Sequence, residues 1–279
     1  MTLSGKGRIA GVLGWPVGHS RSPRLHGFWL AQHGIDGAYI PLPVSPAHFE
    51  PAVRALPLLG FRGANVTIPH KEAAARLVDS IDPLSRRIGA VNTLLFDPSG
   101  SIGGSNTDAF GFIENLRAGM PGFSARRGPA AVLGAGGSAR AVIAALLDDG
   151  APEIRLVNRT QGRAQEVAAA LGGPITVVDW AERAAALEGA ALLVNTTQLG
   201  MAGQPPLEIA LEALPVTALV NDIVYTPLAT DLLARAARRG NPTVDGLGML
   251  LHQARPGFAA WFGVMPEVTP ELRRAMEAP

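Results

Sequence analysis

Ala130-Ala131-Val132-Leu133-Gly134-Ala135-Gly136-Gly137-Ser138-Ala139-Arg140 is the stretch whose reading decides the fold. The apolar run Ala131 to Leu133 has the character of a buried parallel strand. The glycines after it form a tight turn, and from Ser138 onward the sequence has the apolar spacing of a helix that stops at Gly150. Strand, glycine turn and helix, in that order, make a place for a pyrophosphate. Glycine lets the backbone come close, and the N–H groups and positive dipole end of the helix face the anion. The spacing is incomplete, with Ala139 where a strict G-x-G-x-x-G would end, and strand-to-helix turns also use glycine for steric reasons alone.

The next unit adds the missing specificity. Glu153 to Val157 reads as a second strand and ends in Asn158-Arg159-Thr160. A unit that binds NAD places an acid about 20 residues on, for the ribose 2′-hydroxyl. Here the chain has Arg159, with Arg163 one helical turn later and Asn158 and Thr160 as hydrogen-bonding neighbours. Two guanidinium groups suit a 2′-phosphate, so the expected cofactor is NADP. Its expected contacts are Gly134, Ala135, Gly136, Gly137 and Ser138 in the turn, and Asn158, Arg159, Thr160 and Arg163 beyond the second strand.

Bulk properties narrow the class. The 279 residues are 47% hydrophobic, enough for two modest domains or one large one. A net charge of +1 with 17% charged residues gives no sign of a nucleic-acid surface. Cysteine is absent, which removes disulfides and thiolate metal sites and fits a cytoplasmic location. Lys6 and Arg8 precede the apolar run Ile9 to Gly18, but glycine and Pro16 interrupt it and no small-residue cleavage site follows, so a signal peptide is not expected. No segment approaches 18 uninterrupted apolar residues, so neither is a membrane span. His26 and His33 share a helix face without an acid or cysteine cluster nearby and read as structural; no metal is expected.

Arg8 to Leu13 reads as the first strand and leads into Gly14-Trp15-Pro16-Val17-Gly18-His19-Ser20-Arg21-Ser22-Pro23. Ser22 precedes a proline and is pushed toward an extended conformation, where residues two apart point the same way. Ser20 and Ser22 can thus offer both hydroxyls to one carboxylate, while Ser22 also suits the N-cap of a helix with Pro23 at its first position. Gly37 to Val44 reads as an edge strand marked by Pro41 and Pro43. In Asn65-Val66-Thr67-Ile68 polar and apolar residues alternate, so one face of that strand is polar. Lys71 then opens an amphipathic helix through EAAARLVDSI, against the dipole preference for acids in a first turn.

Gly89 to Phe96 reads as a strand carrying Asn92, and the polar run Gly103 to Asp108 as the entry to a helix Ala109 to Leu116. The Gly/Pro/Arg-rich segment Gly119 to Pro129 separates this part from the nucleotide unit. Further strands at Ile175 to Val178, Ala190 to Val194, Ala218 to Val220 and Pro242 to Val244 alternate with helical stretches, the pattern of a parallel sheet covered on both faces. Ligands of such sheets sit beyond the strand C-terminal ends, where the segments holding Thr196, Ile223, Gly246 and Met249 lie, and these four complete the expected cofactor set. The tail Leu250 to Met276 reads as helical and returns to the first domain.

Taken together, nine segments resemble the shikimate dehydrogenase family across nearly the whole chain. They are HSRSPRLH (19–26), NVTIPHK (65–71), GAVNTL (89–94), NTDAFGF (106–112), GAGGSAR (134–140), NRT (158–160), NTTQLGM (195–201), DIVYTP (222–227) and DGLGMLLHQA (245–254). The resemblance implies an α/β protein of two lobes, an N-terminal substrate domain over 1–107 and a doubly wound, Rossmann-like NADP domain over 108–246. Helices over 247–279 return to the first lobe. It implies NADPH-dependent reduction of 3-dehydroshikimate to shikimate in aromatic amino acid biosynthesis. Ser20, Ser22, Thr67, Asn92, Asp108, Tyr225 and Gln253 match the family's substrate positions and Lys71 its catalytic lysine, with Asp108 sharing the proton. The small-molecule partner, no nucleic acid, no membrane, and a monomer or homodimer complete the expectation. Two departures, Gly27 after the histidine of the first motif and Thr197-Gln198 in the NTT stretch, touch no residue expected to contact substrate. Three other readings stand beside this one: a quinate/shikimate dehydrogenase of broader substrate or NAD use, a non-catalytic NADP-binding regulator, and a folate-type dehydrogenase, which gives no reason for the Ser20/Ser22 pair.

Overall fold

The computed structural model describes residues 3–277, which fall into two compact units: residues up to Thr107 with those from Leu250, and Asp108 to Met249. The first unit opens with β1 (Arg8–Gly14), α1 (Ser22–Gln32), β2 (Gly37–Pro43), α2 (Phe49–Ala55) and β3 (Phe61–Val66). It continues with α3 (Lys71–Leu77), β4 (Ser80–Ile81), α4 (Pro83–Ile88), β5 (Thr93–Phe96) and β6 (Ile102–Ser105). Its sheet runs β2-β1-β3-β5-β6-β4 and is mixed, with β5 antiparallel to both neighbours. β2 lies at the edge, where Pro41 and Pro43 forfeit no ladder bond on an inner strand. Leu13, Phe49, Val53, Val66, Leu94 and Ile102 form one core cluster of this sheet.

The second unit holds α5 (Asp108–Gly119), β7 (Ala130–Leu133), α6 (Gly137–Asp148), β8 (Ile154–Asn158) and α7 (Gln161–Leu171). After these come β9 (Ile175–Asp179), β10 (Leu192–Asn195), β11 (Leu219–Asp222), α8 (Asp231–Arg238) and β12 (Thr243–Val244). Every pairing in its sheet is parallel, in the order β12-β11-β10-β7-β8-β9. The chain moves outward from β7 to β9 and then restarts beside β7 at β10. That reversal is the topological switch point at which open α/β sheets bind ligands. All four residues of β7 are buried, as its unbroken apolar run requires.

α9 (Leu247–Phe262) begins in the second unit and continues into the first; α10 (Pro270–Glu277) follows. Within the first unit, Trp261 Nε1 donates to the Leu94 carbonyl at 3.0 Å, and Arg21 Nη1 reaches the Met276 carbonyl at 2.7 Å. Gly63 on β3 makes room for this: a Cβ there would overlap the Trp261 indole and the Leu94 carbonyl. His26 is wholly buried and stacks on Tyr39 with ring centroids 3.9 Å apart, near Trp29, Phe258 and Trp261. Burial pushes its imidazole down to about 3, so it is a neutral core ring.

Several local expectations give way to tertiary pairing. The helix opened by Lys71 ends at Leu77, and Ser80–Ile81 becomes β4, because Asp79 N–H donates to the Ile102 carbonyl and Ser80 pairs with Gly103. The run Gly103 to Ser105 is therefore strand, not helix entry, and Gly104 leaves space for Val78 and Val91. Asn92 lies just before its strand, which starts at Thr93. Ile68 is 56% exposed, since β3 stops at Val66 and the alternation stops with it. Arg21, not Ser22, occupies the N-cap of α1. The Gly119 to Pro129 segment lies inside the second unit; the divisions of the chain fall after Thr107 and after Met249, the latter within α9 and not at Gly246.

Candidate active site

In the first unit Ser20 lies in the loop after β1, Ser22 at the start of α1, Thr67 just after β3, Asn92 just before β5 and Gln253 on α9. Gly14 ends β1 against Thr67, whose Cγ2 would lie 2.6 Å from a Cβ at position 14. Thr67 N–H donates to the Leu13 carbonyl at 2.9 Å, and Trp15 N–H to the Ile68 carbonyl at 3.0 Å, so the two loops are clipped together. Ser22 N–H donates to Ser20 Oγ at 3.3 Å, which places the two serines side by side. Lys71, half-buried, opens α3, and its carbonyl accepts from Val91 N–H at 2.9 Å, next to Asn92.

Asn92 is the centre of a buried polar cluster. Its Nδ2 donates to Gln253 Oε1 at 3.3 Å and to Thr107 Oγ1 at 3.1 Å, while its Oδ1 accepts from Thr107 N–H at 2.9 Å. Asn92 and Gln253, 161 residues apart in the chain, thus meet in one place. Asn65 joins the cluster through Thr93 and reaches Tyr39. Nothing in the local sequence marks Tyr39, Asn65, Thr93 or Thr107 as site residues, although Asn65, Thr93 and Thr107 stand inside the quoted motifs. Burial is what ties these polar groups to one another, and burial is not written in the neighbouring residues.

In the second unit the glycine turn sits at the C-terminal end of β7. Gly134 has φ +108°, and a Cβ on it would stand 2.6 Å from Thr196 Oγ1. Thr196 in turn donates to the Leu133 carbonyl at 2.6 Å. Gly136 is the N-cap of α6 with no side-chain cap, and a Cβ on it would face open space. Ala135 is buried; Gly137 and Ser138, half-buried, form the first helical positions of α6. The unfilled first-turn amides of a 12-residue helix beside an open glycine fit a pyrophosphate.

Arg159 and Arg163 are both exposed, Arg159 in the turn after β8 and Arg163 in the first turn of α7. Asn158 Nδ2 bonds the Thr160 carbonyl at 2.9 Å and shapes that turn, while the exposed Thr160 is the N-cap of α7. At the other strand ends, Gly246 packs so closely on the Ile223 carbonyl that a Cβ has no room. Met249 is buried in α9, and Tyr225 is half-buried in the loop after β11. Asp108, buried, is the first residue of α5.

Two further residues organise this end of the sheet. Asp222 accepts from Asn195 Nδ2 at 3.0 Å, from Val224 N–H at 3.0 Å and from Thr230 Oγ1 at 2.8 Å. Burial pushes its carboxyl up to about 6, against those three hydrogen bonds. Asn195 also binds the Leu199 carbonyl and accepts from Thr197, so the loops after β10 and β11 share one buried anchor.

A parallel sheet with this strand order, a glycine turn at its switch point and arginines after the second strand define a dinucleotide-binding oxidoreductase of the doubly wound α/β class that uses NADP. The comparisons carry this to a family. The family model for the shikimate dehydrogenase substrate binding domain matches residues 12–94, and that for shikimate / quinate 5-dehydrogenase matches residues 122–200. The chain is 69% identical over 271 residues to a shikimate dehydrogenase (NADP(+)) of Paramagnetospirillum magneticum, covering 97% of this chain and 98% of the relative. Among solved structures, a Thermus thermophilus shikimate 5-dehydrogenase in complex with NADP(H) and shikimate matches with TM-score 0.84 and 37% identity over 97% of each chain. A Corynebacterium glutamicum quinate dehydrogenase in complex with NAD matches with TM-score 0.88 and 29% identity, over 97% of this chain and 98% of that one. The chain belongs to the shikimate dehydrogenase family.

Proposed function

We propose that the chain catalyses the reversible NADPH-dependent reduction of 3-dehydroshikimate to shikimate, a step of aromatic amino acid biosynthesis, acting on small molecules in the cytoplasm as a monomer or homodimer. The observation that carries this reading is the neutral hydrogen-bonding set of the first unit. Ser20 and Ser22 stand side by side, Thr67 is clipped to the same loop, and Asn92 meets Gln253 in a buried cluster. A small polyhydroxylated carboxylate needs such a set: hydroxyl donors for the carboxylate, and amides and hydroxyls for the ring oxygens. Asp108 and Tyr225 add contacts to the ring.

Bound NADPH supplies the hydride that goes to the ketone carbon. The proton that the new alkoxide oxygen needs is handled by Lys71 with Asp108, and in the reverse direction the same two groups receive it. Gly134, Ala135, Gly136, Gly137 and Ser138 bind the pyrophosphate, while Asn158, Arg159, Thr160 and Arg163 hold the 2′-phosphate. Thr196, Ile223, Gly246 and Met249 bound the remainder of the cofactor. The test is NADPH oxidation with 3-dehydroshikimate, compared with 3-dehydroquinate and with NADH. Turnover selective for the first pair is the expected result; equal turnover with 3-dehydroquinate makes the chain a broader dehydrogenase, and none at all makes it a non-catalytic NADP-binding protein.

A further inference from the structure

Asp222 is wholly buried at the end of β11, and its carboxylate gathers three neutral donors and no cation. Oδ1 accepts from Asn195 Nδ2 and from Val224 N–H, each at 3.0 Å, and Oδ2 accepts from Thr230 Oγ1 at 2.8 Å. The Asn195 amide cannot be flipped, because its Oδ1 already accepts the N–H and the hydroxyl of Thr197 at 3.0 and 2.7 Å. Among the described residues no lysine, arginine or histidine pairs with Asp222. β10, β12 and α8 pack against β11, and the two strands carry no charged residue. Of the charged side chains on α8, Asp231 pairs with Arg235 at 2.8 Å and Arg238 is exposed. Burial pushes the carboxyl up to about 6, so at neutral pH it is an ionised carboxylate without a counter-ion.

The sheet gives that charge a use. The glycine turn that takes the pyrophosphate leaves β7, and the arginines that take the 2′-phosphate follow β8. With the strand order β11-β10-β7-β8, the adenosine half of the cofactor runs over β8, and the nicotinamide half runs the other way, over β10 and β11. Asn195 and Asp222 are the last residues of those two strands, directly ahead of Thr196 and Ile223.

We propose that Asp222 is the counter-charge of the oxidised nicotinamide: its buried carboxylate attracts the positive ring of NADP+ and has no such hold on the neutral ring of NADPH. This rests on the reading that places the nicotinamide end of the cofactor at Thr196 and Ile223. When the hydride leaves NADPH with its electron pair for the ketone carbon, the ring is left with one positive charge. The field of Asp222 is in place before that charge develops, so no side chain has to move to meet it. Two strand spacings are about 10 Å. At that separation and an effective dielectric of about 20 to 40, the attraction of opposite unit charges corresponds to about 4- to 16-fold in affinity.

The experiment measures Kd for NADP+ and for NADPH by titration calorimetry, with the full-length wild type and with Asp222→Asn, at about pH 8, where the carboxylate is ionised. Asparagine keeps the shape of the anchor: its Oδ1 accepts from Asn195 and Val224 as before, and its Nδ2 donates to Thr230 Oγ1. The phosphates are common to both cofactor forms, so the ratio of the two constants reads the ring charge alone. Asp222→Asn is expected to raise Kd for NADP+ about 4- to 16-fold and to leave Kd for NADPH within about twofold. Equal weakening of both forms, or no change in either, overturns the proposal and leaves Asp222 as an anchor of the loops. A wild type that binds neither form overturns the cofactor reading on which the proposal rests. If Asp222→Asn does not fold, the wild type gives a second measurement. Between about pH 5 and 7, binding of NADP+ should release more protons than binding of NADPH, read by calorimetry in buffers of different ionisation enthalpy, because only the charged ring draws the proton off Asp222. The 2′-phosphate titrates alike in both forms, and all six histidines lie in the first unit. Equal proton release with the two forms overturns the proposal.

Discussion

Arg159 and Lys71 each stake a chemical role on one side chain. Arg159 is exposed in the turn after β8, where its loss costs no core packing, so its substitution reads binding alone. Hydrogen bonds to charged groups contribute about 1.5–3 kcal/mol, so one such contact gives roughly a ten- to hundred-fold preference. The wild type should prefer NADPH to NADH by at least ~10-fold in kcat/KM, and Arg159→Ala should lose most of that by weakening NADPH alone. Equal loss with both cofactors would assign Arg159 to the fold. Lys71→Ala should lower kcat by about 10²–10⁴ with a much smaller change in KM, as removal of a proton donor does. A near-normal kcat with a poor KM would make Lys71 a binding group. Arg159 stands out in the sequence because its chemistry is local, an arginine where an acid is customary; Lys71 shows only as a lysine in a first helical turn, and its proton role comes from the family resemblance.

At the scale of one element, the glycine turn before α6 separates two roles of one residue type. Gly134 has φ +108° and no space for a Cβ, whereas Gly136 has φ −89° and open space around it. Gly134→Ala should therefore lower the melting temperature, with a cost of about 2 kcal/mol or more from backbone strain and the clash with Thr196. Gly136→Ala should leave the melting temperature of the cofactor-free protein almost unchanged and raise KM for NADPH, because its methyl group occupies the path of the phosphates. Thermal melts with and without NADPH decide between these patterns; a large drop for cofactor-free Gly136→Ala would show that the second glycine serves the fold. Elements with a strong local signal, such as β7 and α6, appear within a residue or so of their expected limits. β4 and β6 do not, since Ser80, Ile81, Gly103 and Gly104 have no strand pattern of their own and become strands only by pairing with each other and with β5.

For the whole molecule, the two units carry buried ionisable groups of opposite tendency. His26, in the first unit, has its pKa pushed down to about 3, so the unfolded chain binds the proton first as pH falls below 6.5. Its contribution is present above that pH and is lost on the way down to about 3, a change of about 5 kcal/mol at most. Asp222, in the second unit, has its pKa pushed up to about 6, so its burial costs most above pH 6 and is relieved as pH falls toward 3.8. Acid should thus destabilise the first unit before the second. Hydrogen exchange of segments from each unit, followed from pH 7 to pH 4, checks this, and simultaneous loss of protection in both would refute it. His26→Phe should flatten the dependence in the first unit. The sequence by itself determined the class of cofactor and the parallel nucleotide unit, because glycine turns, charge at a strand end and apolar runs act over a few residues. Only the tertiary structure decided that Asn92 meets Gln253, that Tyr39 donates to Asn65, and that Asp222 anchors two loops. Those facts depend on strand register and on burial, which remove water as a partner and leave each polar group to the neighbours the fold brings within reach.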